Sequence, residues 1–335
     1  MLARVVLGIA VIALLGLLFA AIKFTISRSE IIKMAGSFLF LPEGAVESTN
    51  SRTNILLLGK AGKEPTLTDT IMLISISRKE KDVTVISIPR DIWIPEFTDK
   101  INSAYWRGQE KESGGGLVLS KSVAEDVLGV TIHYAAAFDF EGFAQVIDIL
   151  GGVEVQVERS FTDEKFPIPG RENDECGGLP RDEVLRGDPE FSCRYETVHF
   201  EKGRQLMDGE TALKFARSRQ SEDPDEGNDL ARAARQQKVL LAIKDKLASR
   251  DILFSPKTLS SLWFVFWKVT ETDMTKPQLA YIGRLVANSG KVSSHTIPLE
   301  LLENPPYSDE YNNLYVFIPK AGEWSEVHRW LEDIF

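Results

Sequence analysis

The chain has 335 residues, 43% of them hydrophobic, with 39 Lys and Arg against 49 Asp and Glu and a formal net charge of -10. This length and composition suit a globular body of one large or two modest domains and argue against a disordered chain. A pI near 5.1 without a long basic tract argues against nucleic acid as a partner, because neutralising phosphates needs a stripe of Lys and Arg.

In chain order, the first element is the uncharged run Val5 to Ile22, VVLGIAVIALLGLLFAAI, whose length at 1.5 Å per residue approaches a hydrocarbon core of ~30 Å. It is expected to be a transmembrane anchor. A cleaved signal peptide is the alternative, although its apolar region is usually shorter. Arg4 precedes the run and Lys23 and Arg28 follow it, so the charge balance leaves the orientation open. Residues 1–23 are thus read as tip and anchor, 24–50 as a juxtamembrane connector and 51–335 as the folded body.

Strands are expected at Asn54 to Gly59, from Asp69 through DTIMLISIS, and from Val83 through VTVISI to the stop at Pro89. They are apolar on both faces, which suits a sheet covered on both sides. Helical patterns follow at Leu117 to Leu128 and Phe140 to Leu150, then a short strand at Val153 to Val157. Asp208 is placed to cap a helix reaching Arg217, and Asn228 or Asp229 to cap another from Leu230 to about Leu247. Beyond Ser255 come two helical patterns, strands near Val292 to Ile297 and Leu314 to Ile318, and a last helix. The alternation predicts an α/β fold, a layered α-β-α domain with a mixed central sheet behind one N-terminal transmembrane helix.

Between these elements lies a polar segment, Phe161 to Glu201, holding both cysteines, Cys176 and Cys193. Two thiols close in sequence suit a disulfide across a surface excursion in an oxidising compartment. Two free thiols are the alternative; a zinc site lacks further ligands.

Standard catalytic motifs are missing. GKAGKEPT at Gly59 is too short between its glycines for a phosphate loop and carries Glu64 where Ser or Thr should bind magnesium, and no HExxH or GxSxG motif occurs. What stands out is arginine beside breaks in structure. Arg90 follows a strand end, where open α/β sheets bind ligands. Arg217 and Arg219 lie two apart after a helix, and Arg232 and Arg235 three apart near a helix start, where free N–H groups favour an anion. Five such arginines in an acidic chain suggest a phosphate-bearing ligand, against the alternative of surface ion pairs. Asp69, opening a strand within LTDT, is a candidate magnesium ligand if a pyrophosphate supplies further oxygens, or a turn cap if not. Asp91 and Asp229 are candidate bases, Asp229 alternatively a metal partner or a helix cap.

The series NILLLG, LTDTIML, VISIPRD, KINSAY, FEGFAQVIDILGGVEV, DGETALKFARSR and DLARAARQQKVL, in a match that runs from about Asn54 to Leu247, resembles in order the LytR-CpsA-Psr family of bacterial cell-wall enzymes. The resemblance implies a cytoplasmic N-terminus, one membrane span and an extracytoplasmic catalytic domain. It implies a phosphotransferase that moves a glycopolymer from a polyprenyl pyrophosphate carrier to peptidoglycan with Mg2+, or Mn2+ in its place. Arg90, Arg217, Arg219 and Arg232 or Arg235 would hold the pyrophosphate, Asp69 the metal. Two departures stand out: Ala61 replaces a frequent second carboxylate, and Thr66 and Leu67 replace a frequent arginine, leaving Lys60 and Lys63 as the nearest cations. A lipid pyrophosphatase and a non-enzymatic wall-binding or regulatory protein are the alternatives.

Overall fold

The computed structural model describes residues 36, 42–61, 65–168, 170, 171, 174 and 192–335; Val5 to Ile22, Lys63 and Cys176 lie outside the described residues. Among those described, no helix is long and apolar enough to cross a membrane, and Cys193 is disulfide-bonded.

A mixed six-stranded sheet organises the body. Its strands are β1 (Arg52–Ala61), β2 (Leu67–Ser77), β3 (Asp82–Ser87), β4 (Tyr134–Asp139), β9 (Thr270–Thr272) and β10 (Lys291–Thr296), in the order β9-β4-β1-β2-β3-β10. The β1–β4 and β3–β10 pairs are parallel and the others antiparallel. Alternation along each strand feeds two cores, as side chains of period two must. Leu56, Leu58, Ile71, Leu73 and Ile86 point to one face, covered by α1 (Ala104–Lys111), α2 (Gly115–Leu128) and α8 (Ser325–Ile334). Ile55, Met72, Ile76, Val83 and Val85 point to the other, toward Tyr281 and Ile282 of α7 (Lys276–Ala287). The connector joins this second core: Val46 is buried in it, so the folded body begins before residue 51.

A third core lies beside the sheet, formed by α3 (Phe140–Ile149), α4 (Gly209–Arg217), α5 (Asp229–Leu247) and two antiparallel strand pairs. One pair is β5 (Val153–Val157) with β8 (Gly203–Met207); the other is β6 (Phe161–Pro167) with β7 (Tyr195–Phe200). The polar segment expected as a surface excursion therefore has structured flanks, because Phe161, Phe166, Val198 and Phe200 face inward while charged neighbours face out. Helix α4 crosses α3 closely: a Cβ on Gly209 would lie 2.2 Å from the Ala144 carbonyl oxygen. The strand expected at Leu314 to Ile318 narrows to Ile318–Pro319. Phe317 instead exchanges backbone hydrogen bonds with Asp91 and Trp93, and the Asn304 amide binds the Val316 carbonyl.

Candidate active site

The site forms where β2 and β3 meet the loop between α4 and α5. On β1, Gly59 pairs with Thr70 and Lys60 with Thr68, so Asp69 is the extra residue of a bulge. A bulge re-aims the side chain it frees from the ladder. Gly59 permits it, since a Cβ there would sit 2.9 Å from the Thr70 Cβ. Pro89, which cannot donate to a ladder, follows the end of β3 and delivers Arg90 to the same place. Arg90 Nη1 donates to Asp69 Oδ1 at 2.6 Å. Its Nε is buried without a hydrogen-bond partner, 3.6 Å from Asp91 Oδ2. Lys100 Nζ donates to the other Asp91 oxygen at 2.6 Å. Burial works against the Arg90 charge, yet Asp69, Asp229 and Asp91 more than offset it, so the guanidinium pKa is raised.

Helix α4 is capped by Asp208, which accepts from the Thr211 N–H, and ends at Arg217. The chain then extends, and the backbone N–H groups of Arg219 and Gln220 donate to Asp163 Oδ2 at 3.0 and 3.2 Å. Asp163, on β6 and 1% exposed, thereby fixes the Arg219 loop from the neighbouring hairpin. The Arg217 guanidinium lies over the rings of Phe140 and Phe166, at 4.6 and 5.6 Å. Arg219 is exposed and makes no ion pair among the described residues.

Of the two candidate caps, Asn228 caps α5, accepting from the Ala231 N–H, which leaves Asp229 as its first residue. Asp229 pairs with Arg232 at 3.1 Å. Burial, with smaller contributions from the like charges of Arg90 and Arg219, lowers the Arg232 pKa to about 10, so it stays cationic at neutral pH while incompletely neutralised.

These groups share one cavity of about 620 Å³, lined among others by Asp69, Arg90, Asp91, Arg219, Asp229 and Arg232. A smaller hollow of about 70 Å³, reaching Arg217, Phe140 and Lys165, shares Asp69, Arg219 and Arg232 with it. Arg235 corrects the expectation of an anion contact. It lines neither hollow; its guanidinium pairs with Glu226 at 2.6 Å, accepts a place over Phe161 and donates to the carbonyls of Phe215, Ser218 and Glu226. Its work is to clamp the loop. Lys60 lies over the Tyr105 ring instead of in the cavity, and Phe215, one of the phenylalanines in the matched motifs, is core. Three contributors escape sequence reading: Asp163, Gln236 and Tyr315. Asp163 carries a faint signal, an acid at an inward position between Phe161 and Phe166.

A metal has little protein to hold it. Among the described residues no group of three His, Cys, Asp or Glu is arranged to bind an ion, and Ala61 offers no carboxylate. Asp69 retains Oδ2, and one carboxylate with ligand phosphates and water is a usual magnesium arrangement. The residues fit Mg2+ only together with an oxygen-rich ligand.

The LytR_cpsA_psr family model matches residues 25–332. The chain belongs to this family. Among its relatives, the polyisoprenyl-teichoic acid–peptidoglycan teichoic acid transferase TagU of Bacillus mycoides is 29% identical over 243 residues, 71% of this chain and 65% of TagU. The chain thus spans just under two thirds of that relative's length. Of the solved structures, Bacillus subtilis TagV superposes with a TM-score of 0.58 at 23% identity, covering 85% of this chain and 98% of TagV. TagT (YwtF) with bound octaprenyl pyrophosphate lipid superposes with a TM-score of 0.54 at 22% identity, covering 86% and 92%; TagT is also from B. subtilis. At these identities the superpositions establish a shared LytR-CpsA-Psr fold.

Proposed function

We propose that the chain is a phosphotransferase that moves a glycopolymer from a polyprenyl pyrophosphate carrier to peptidoglycan, held by Val5 to Ile22 in the cytoplasmic membrane with its body outside. The observation that carries this reading is the convergence of Arg90, Arg219 and Arg232 on one cavity with Asp69, Asp91 and Asp229, in a chain of net charge -10. The names of relatives such as TagU support it.

In this reading Arg219 and Arg232 bind the pyrophosphate oxygens, with Arg217 at the adjoining hollow. An acceptor hydroxyl oxygen forms a bond to the sugar-bearing phosphorus; the bond from that phosphorus to the bridging oxygen breaks, and polyprenyl phosphate leaves with the electron pair. The hydroxyl proton passes to a carboxylate. Asp229 suits that role better than Asp91, which Lys100 already holds and which is 6% exposed. Arg90, drawn toward three carboxylates, positions Asp69. A Mg2+ or Mn2+ ion held by Asp69 Oδ2 would neutralise charge on the pyrophosphate. For the lipid tail, Leu57, Ile74 and Leu240 stay half-buried against the second core, and Phe138 stacks on Phe143 at 6.0 Å; apolar side chains left only half-buried in a central strand suit a hydrocarbon occupant.

Incubating the full chain in detergent with a polyprenyl-pyrophosphate-linked saccharide, peptidoglycan strands and Mg2+ tests the reading. Transfer supports it. Hydrolysis alone would make the protein a lipid pyrophosphatase, and binding without turnover a wall-binding or regulatory protein, the outcome that Ala61 favours.

A further inference from the structure

The cavity residues fall into two chemical groups. Its cations are Arg90, from the end of β3, and Arg219 and Arg232, from the α4–α5 region; another part comes from the C-terminal stretch, where Leu299, Tyr315 and Phe317 bring no cation. The two meet at the carboxylates. Asp229 pairs with Arg232, and Asp91 and Asp229 line the same cavity as Tyr315. A pyrophosphate belongs with the arginines, so an uncharged partner of the reaction belongs with the aromatic group.

The backbone that follows Tyr315 is anchored. The Phe317 N–H donates to the Asp91 carbonyl and the Trp93 N–H to the Phe317 carbonyl, both at 2.8 Å. The Asn304 amide binds the Val316 carbonyl at 2.7 Å, and the Tyr315 and Phe317 rings meet edge to face at 5.4 Å. Yet Tyr315 is 45% exposed, and its hydroxyl has no hydrogen-bond partner among the described residues. A large ring fixed by its neighbours and left open beside reacting groups is a stacking surface, its apolar body for a ring's C–H face and its hydroxyl for an oxygen.

We propose that Tyr315, backed by Phe317 and Leu299, is the acceptor subsite, on which a neutral pyranose ring of the receiving glycan stacks with its nucleophilic hydroxyl toward Asp229. This rests on the phosphotransferase reading. Burial first, then the charges of Asp91 and Asp229, raises the Tyr315 pKa, so the phenol remains a donor for a sugar oxygen at physiological pH.

Two measurements on the full chain in detergent test the subsite. In ligand-observed NMR with soluble, peptide-free peptidoglycan glycan fragments, the wild type should bind, Tyr315→Phe should bind within a fewfold of it, and Tyr315→Ala should lose at least tenfold in affinity. In transfer kinetics, Tyr315→Ala should raise the acceptor KM at least tenfold while the donor KM moves less than twofold. A wild type that transfers, with Tyr315→Ala leaving acceptor affinity and KM unchanged or raising the donor KM equally, overturns the subsite and leaves the function standing. Glycan binding that depends on Tyr315 in a protein that transfers nothing would overturn the function and leave a glycan site.

Discussion

Single residues divide the labour at the cavity, and substitutions should separate it. If Arg219 clamps a pyrophosphate oxygen, Arg219→Ala removes a charge-assisted contact of roughly 1.5 to 3 kcal/mol, and lipid affinity and transfer should both fall at least tenfold. Lysine should restore only part, since it keeps the charge without the planar fork. Asp69→Ala should instead abolish the response to added Mg2+ and collapse turnover while lipid binding persists through the arginines. Isothermal titration with lipid, alongside turnover at varied Mg2+, reads both effects; magnesium-stimulated transfer close to wild type in folded Asp69→Ala would contradict the metal role. Away from the cavity, His133 accepts the Asn54 N–H on Nδ1 and faces the Thr49 hydroxyl with Nε2, so the fold holds it neutral. Burial lowers its pKa, and the unfolded chain therefore binds the extra proton first as pH falls. Its contribution to stability should be complete above about pH 6.5 and shrink below that. Thermal melts between pH 5 and 7 should show a shallower acid slope for His133→Gln than for wild type; identical slopes would refute this.

At the scale of elements, one hairpin sets the Arg219 loop. Asp163 on β6 accepts the backbone N–H groups of Arg219 and Gln220, and Arg235 fastens the same loop from α5. Asp163→Ala would leave those donors without their partner, so lipid affinity should drop to about the level of Arg219→Ala although every cation is intact, and hydrogen exchange across residues 218–221 should rise. Unchanged exchange there would show that the loop holds itself. The central strands and the α4 and α5 caps are legible in the sequence because their signals are local: period-two apolar runs, and Asp208 and Asn228 just ahead of helices. The β6–β7 pair is hidden by its charged outward positions, which make FTDEKF read as loop. The bulge that frees Asp69 depends on the register between β1 and β2, a long-range property. Arg235 shows the limit from the other side: spacing places it on a helix face with Arg232 and cannot tell an anion contact from a clamp on carbonyls. Tyr315 depends on the pairing of Phe317 with Asp91, residues far apart in the chain.

The molecule as a whole joins a sheet with two covered faces to a third core, and the cavity lies where they meet. Its β2–β3 side supplies Asp69, Arg90 and Asp91; the α4–α5 side supplies Arg219, Asp229 and Arg232; the C-terminal stretch supplies Tyr315. An arrangement that keeps cations, carboxylates and an aromatic wall apart yet adjacent suits transfer between two large substrates more than hydrolysis, for which water needs no platform. The most direct measurement follows one phosphorus atom. A polyprenyl pyrophosphate donor labelled at the sugar-bearing phosphate is incubated with the full chain, Mg2+ and peptidoglycan. The label is predicted to appear as a phosphodiester on the peptidoglycan, matched one for one by unlabelled polyprenyl phosphate. Label recovered only as soluble sugar phosphate, or retained wholly in the lipid, would contradict the transferase account.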